Sequence, residues 1–225
     1  MILDFRLMLF LAPALLLGLW AQYRVKSNFA RASQIPARLS GAAAARHILD
    51  QAGLQQVDIE QVPGQLSDHY DPQAKVLRLS PDVYSGRNLA AVGIAAHEAG
   101  HAVQDAQHYA ALVVRNAAVP MAGIGSNIGL LLMALGFGMP KLMLVGMILF
   151  SAVVIFQLVN LPVEYDASAR AKKLLVDRGI VSTEEMPYVR RVLSAAALTY
   201  VAATLQSVLT LLYYASHFSG SRDES

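Results

Sequence analysis

His97, Glu98 and His101 are the residues of this chain best suited to chemistry, and they stand together as His-Glu-Ala-Gly-His over 97–101. On a helix, side chains four residues apart lie on one face, one above the other. Two imidazoles so placed can hold one divalent ion, and the carboxylate beside them can take a proton from a water molecule that the ion acidifies. That chemistry is hydrolysis of a peptide bond by a zinc protease. The plainer reading is a pair of polar residues on an amphipathic surface helix. The chain has no cysteine, which excludes thiolate ligands and a cysteine nucleophile.

A catalytic zinc needs a third protein ligand and one position left for water. His217 falls on the opposite side of the membrane by the topology below, and His108 lies two turns beyond His101 unless the helix breaks. His69 is a candidate from a loop. Glu164 is the stronger one, an acidic residue at the start of a downstream helix with Tyr165, Asp166 and Ser168 after it. Its plainer reading is a glutamate placed to complement a helix dipole.

The elements that must position these groups are set largely by hydropathy. Apolar residues make up 55% of the chain and charged residues 15%, against about 25% charged in a soluble domain. Apolar runs cover 7–23, 117–140, 142–161 and 192–215. A helix needs about 20 residues to cross a hydrocarbon core. The first run is short and holds Pro13; with Asp4 before it and no clean cleavage site after it, it reads as an uncleaved anchor. Basic residues near the span ends set the orientation. Arg24, Lys26, Arg31 and Arg115 flank one polar segment, and Arg170, Lys172, Arg190 and Arg191 the other, while only Arg6, Lys141 and Arg222 face the opposite way. Both polar segments are therefore expected in the cytoplasm. The net charge of +2 reflects this topology, and no basic stripe with interleaved aromatics suggests nucleic acid.

Between the first two spans, 40–53 reads as a helix opened by Ser40 and closed by Gly53. Val57, Ile59 and Gln61 alternate into Pro63-Gly64, a strand and turn. A second strand is expected over Val76–Leu79, after a turn at Tyr70-Asp71-Pro72. The alanine-rich stretch 88–113, capped by Asn88, is the strongest helix. A new helix is expected to start at Pro162 and end at Gly179, and Ser182 or Thr183 with Glu185 opens a short helix into the fourth span. Gly125, Gly129, Gly136 and Gly138 suit close helix approach around a Gly138–Lys141 hairpin. His101 precedes the second span by roughly 24 Å of unbroken helix. It can share an ion with Glu164 if its own helix bends back or lies along the bilayer, or if the third span continues well into the cytoplasm.

His-Glu-Ala-Gly-His-Ala-Val-Gln-Asp-Ala at 97–106, Leu-Pro-Val-Glu-Tyr-Asp-Ala-Ser-Ala-Arg-Ala at 161–171 and the stretch 70–84 resemble the bacterial membrane zinc metallopeptidases of the neutral zinc metallopeptidase family. The HtpX-like membrane proteases are more distantly similar. The resemblance covers nearly the whole chain. It implies one Zn2+ held by His97, His101 and Glu164, with Glu98 as general base. HtpX-like and thermolysin-like patterns place an aspartate four residues after the ligand glutamate to orient a histidine. Here that position is Ser168, with Asp166 two residues earlier, and either could act behind an imidazole. Tyr165, Tyr188, His69 and Arg190 are candidate donors to a developing oxyanion, and the strand Val76–Leu79 is a candidate edge for an extended substrate, unless it is internal to its sheet.

The expected molecule is a mainly α-helical integral membrane protein with about four transmembrane helices and a small α+β gluzincin-like zinc protease domain on the cytoplasmic side. Its segments are an anchor (1–23), a zinc-binding domain (24–116), a two-span hairpin (117–161), a helical segment supplying the third ligand (162–191), a fourth span (192–215) and a polar tail (216–225). The expected activity is endopeptidase cleavage of membrane-associated or misfolded polypeptides at a bacterial inner membrane. The lipid bilayer is a partner, and a second copy or another membrane protein is a candidate one. The competing class is a non-catalytic adaptor with a structural zinc. A transporter is disfavoured because the spans contain few ionisable residues, and Asn127, Gln157, Asn160 and Gln206 are polar but uncharged.

Overall fold

The computed structural model describes residues 5–223. Most of them are helical, and four helices are long and apolar enough to cross a membrane: Phe5–Ala32, Ala110–Leu135, Pro140–Asp177 and Met186–Phe218. The chain divides into two compact units. One takes Gln22–Leu112 and Val163–Ala197, and the other the remaining segments.

The first unit contains the sheet. Helix α1 (Phe5–Ala32) enters it at its C-terminal end, and α2 (Gly41–Gln51) follows. The Ala43 N–H donates to Ser40 Oγ at the start of α2, as the sequence suggests. At its end Gly53 takes φ +75° and Leu54 N–H donates to Leu49 O, a Schellman closure. Strands β1 (Asp58–Gln61), β2 (His69–Asp71) and β3 (Val76–Leu79) form a sheet in the order β1-β3-β2, with β1 parallel and β2 antiparallel to β3. Two expectations are corrected here. His69, Tyr70 and Asp71 belong to a strand, and the turn follows them, where Asp71 Oδ1 accepts from the backbone N–H of Gln73 and Ala74. Strand β3 is central, with both edges already paired, so it offers none to a substrate. Its Leu77 and Leu79 are fully buried in the core with Ile48 and Leu49 of α2 and the alanines of the zinc-motif helix.

That helix, α4 (Leu89–Ala106), follows the short α3 (Pro81–Tyr84), and Asn88 Oδ1 accepts from Ala91 N–H at its start. It ends seven residues before the expected 113. His108 takes φ +50°, His108 N–H donates to Asp105 O and Tyr109 N–H to Gln104 O. This is again a Schellman closure, with histidine where glycine is usual, so the usual stop signal is missing from the sequence.

Pro162 does not start a helix. It lies inside α7 (Pro140–Asp177), a helix that runs on from the third apolar segment and closes at Gly179, φ +62°. Proline costs a helix one N–H bond, a loss that long membrane helices commonly absorb. Helix α8 (Met186–Asp223) also replaces two expected pieces with one, and opens with reciprocal bonds between Ser182 and Glu185, a capping box. The tail expected at 216–225 is helical to Asp223. Asp4 and residues 224–225 lie outside the described residues.

In the second unit, α5 (Ala110–Ile124) passes through a π-helical turn, Gly125–Gly129, into α6 (Leu130–Leu135). A Cβ on Gly125, Gly129 or Gly136 would stand 2.4, 2.9 or 2.6 Å from backbone atoms of Leu149, Phe150 or Met143. These glycines let α7 lie against the preceding helix. Gly138 serves differently, taking φ +84° in the turn between them. Met133, Met143, Met147, Phe150, Tyr213 and Tyr214 form this unit's buried cluster.

Candidate metal centre

The site lies wholly within the unit that carries the sheet. His97 and His101 stand one turn apart on α4, their rings edge to face with centroids 4.8 Å apart at 84°. Their face of α4 packs on α7 at very close range, because position 100 is glycine: a Cβ there would stand 2.9 Å from Ala167 O. The close approach brings Glu164, one turn before Ala167, to the imidazoles. Glu164 Oε2 is 3.2 Å from His97 Nε2 and 3.7 Å from His101 Nε2. The three side chains are 5–12% exposed. One ligand atom from each lies within 4.8 Å of the others, and among the described residues this is the group of such residues able to hold a metal ion.

Behind the imidazoles, polar groups hold the rings. Ser168 Oγ is 3.2 Å from His97 Nδ1. His101 Nδ1 is 2.9 Å from Gln104 Oε1, and Gln104 Nε2 donates to Val163 O at 2.9 Å and to Asp166 Oδ2 at 2.7 Å. Arg170 Nε donates to the same Asp166 oxygen. Ser168 and Asp166 therefore serve different histidines, Asp166 through an intervening amide. Sequence reasoning missed Gln104, which is fully buried. The signal was present: positions 97, 101 and 104 form a polar stripe on an alanine-rich helix. In the sequence alone Arg170 reads only as a topological charge.

Burial works against a charged His101, but the carboxylates of Glu164 and Glu98 outweigh it and raise its pKa. Glu98 itself is half-buried and, among the described residues, makes no hydrogen bond or ion pair with a protein group. A short network ties the sheet to the end of α4, where Tyr70 Oη donates to Asp105 Oδ2 at 2.7 Å and Lys75 Nζ pairs with the same oxygen. Burial and the Asp105 carboxylate push the Tyr70 hydroxyl above its ordinary range.

The family model described as "Putative neutral zinc metallopeptidase" matches residues 7–219. The chain belongs to that family. It is also similar to "Putative membrane protease YugP" of Bacillus subtilis (strain 168), with 47% identity over 224 residues, 97% of this chain and 100% of the relative. No solved structure matches it.

The residues fit the ion the family name implies. Zinc bonds of about 2.0–2.1 Å in a tetrahedron imply ligand atoms roughly 3.3 Å apart, and the two distances to Glu164, 3.2 and 3.7 Å, straddle that edge. Two imidazoles and one carboxylate also match a catalytic zinc set. His69 is not part of the group. It is exposed on β2, with Nδ1 bonded to Ser67 O. The other oxyanion candidates lie at more open positions. Tyr165 is 53% and Tyr188 39% exposed, Arg190 is exposed, and none has a hydrogen bond or ring contact with His97, Glu98, His101 or Glu164 among the described residues. Tyr188 instead lies under the guanidinium of Arg191.

Proposed function

We propose that this protein is a zinc-dependent membrane endopeptidase that hydrolyses membrane-associated or misfolded polypeptides on the cytoplasmic side of a bacterial inner membrane. The observation that carries the reading is the convergence of His97, His101 and Glu164, with Glu98 beside His101 and without a protein partner among the described residues. His97, His101 and Glu164 would hold one Zn2+, which when bound supplies Lewis acidity and brings the pKa of a water molecule toward about 7.

The chain's own groups carry the protons. The Glu98 carboxylate takes one proton from the attacking water as its oxygen bonds to the peptide carbonyl carbon. The same proton then passes from Glu98 to the leaving nitrogen as the C–N bond breaks, which restores the carboxylate. A purely structural zinc would have no use for a half-buried carboxylate left unpaired beside it. The distribution of lysine and arginine around the four apolar helices supports the cytoplasmic orientation.

The test uses the full chain in lipid nanodiscs. It is expected to hold one zinc per chain and to cleave an unstructured polypeptide. Removal of the metal by a chelator abolishes cleavage, and added zinc restores it. Chelator-resistant cleavage, or no zinc at all, would refute the reading.

A further inference from the structure

The amide of Gln104 can face only one way. Val163 O is a carbonyl and accepts only, and Asp166 Oδ2, which accepts from Arg170 Nε, is a carboxylate with no proton to give. Both partners therefore require the NH2 end of the amide, which leaves Oε1 toward His101 Nδ1 at 2.9 Å. An amide oxygen accepts only, so Nδ1 must carry the proton. In the neutral ring Nε2, the atom that faces Glu164, then presents its lone pair. No amide faces Nδ1 of His97: the Ser168 hydroxyl there can donate or accept, so this partner does not choose the tautomer.

We infer that Gln104 is a positioning residue that holds His101 as the metal-ready Nδ1–H tautomer before any ion arrives, with Arg170 and Asp166 locking its amide. This rests on the metallopeptidase reading of the site. The arrangement differs from a carboxylate bonded directly to the histidine. A neutral amide fixes the tautomer and ring orientation, while the anion that locks it stays one hydrogen bond away and does not charge the ligand itself. Gln104 lies on the same helix as His101, so the lock needs no loop to close. Its other end, Val163 and Asp166, lies on α7 beside Glu164. The same amide thereby ties the helix of the two histidines to the helix of the third ligand.

The decisive readout is the tautomer in zinc-free protein, measured by nitrogen-15 NMR of histidine-labelled full-length chain in micelles at about pH 9, where an ordinary imidazole is neutral. His101 is expected to carry its proton on Nδ1, and His101→Gln assigns its signal. An Nε2–H tautomer in the wild-type chain overturns the inference, whatever the variants do. Gln104→Met keeps most of the volume and removes the amide. It is expected to shift the tautomer balance and weaken zinc binding by about 10–100-fold in chelator competition. Asp166→Ala is expected to weaken binding less, and Asp166→Asn, which still offers the amide an oxygen, to restore it. The double variant Gln104→Met/Asp166→Ala should bind no worse than Gln104→Met alone. Additive losses, or a Gln104→Met chain that keeps the wild-type tautomer and affinity, would mean that the amide only fills space. A protein that binds no zinc or cuts nothing would sink the protease reading, and the tautomer measurement would still decide this one.

Discussion

Gly100→Ala places a Cβ 2.9 Å from Ala167 O, where ordinary contact begins at 3.4 Å. The carbonyl belongs to the backbone of α7, so relief needs the two helices to part by about 0.5 Å. Two opposing energies then bear on the fold. Alanine recovers about 1 kcal/mol of helix propensity over glycine, and overpacking costs about 1–3 kcal/mol. Net destabilisation is therefore expected between nearly nothing and about 2 kcal/mol. The metal site is far less tolerant. Glu164 lies one turn from Ala167 and moves with it, and metal bonds hold to about ±0.2 Å. Zinc affinity is expected to fall at least about tenfold, while the unfolding temperature of the zinc-free protein falls by no more than about 4–8 °C. Gly93→Ala is the control on the same helix. Its Cβ would also meet an atom at 2.9 Å, but that atom is Val189 Cγ1, which can turn about one torsion without moving a backbone. Chelator competition and thermal unfolding of both variants decide the matter. If Gly100→Ala binds zinc as well as the wild type, or Gly93→Ala harms binding more, the close helix contact does not set the site.

Other perturbations give separate checks. Backbone N–H of Ala74, then Arg78 and Gln73, hold the Asp71 carboxyl down at about 2 from its ordinary 3.8. A depressed carboxylate stabilises the fold above its unfolded value, and that contribution disappears as pH falls through the folded one. The stability gap between wild type and Asp71→Asn should therefore be full above pH 4 and close toward pH 2, as followed by chemical unfolding; a gap independent of pH would contradict this. Tyr70→Phe removes one hydrogen bond to Asp105, which keeps Lys75, and is expected to cost about 1–2 kcal/mol in the same assay. The chain lacks cysteine, so single replacements report topology: in intact spheroplasts Met139→Cys should label with an impermeant thiol reagent and Gln51→Cys should not. The reverse pattern would invert the proposed orientation.

What could be read from the sequence followed physical regularity. The His97–His101 spacing on an alanine-rich helix, the caps Ser40 and Asn88, and the closures at Gly53 and Gly179 each depend on a few neighbouring residues, and they appear where chain chemistry puts them. What could not be read depended on tertiary context. The end of α4 has histidine in a left-handed position that normally signals itself by glycine. Pro162 resembles a helix start, yet α7 runs through it. His69–Asp71 form a strand only because β3 is there to pair with them. Gln104 shows in the sequence only as the end of a polar stripe with His97 and His101, and its partners appear when Val163, Asp166 and Arg170 are brought up from α7.

Glu98→Gln tests the central claim most directly. The substitution keeps shape and removes the ability to take a proton. In nanodiscs the variant is expected to hold one zinc per chain, as the wild type does, and to lose cleavage of an unstructured polypeptide by roughly 10²–10⁴-fold. Full cleavage by the zinc-loaded variant would contradict the role given to Glu98 and, with it, the hydrolytic reading of the site.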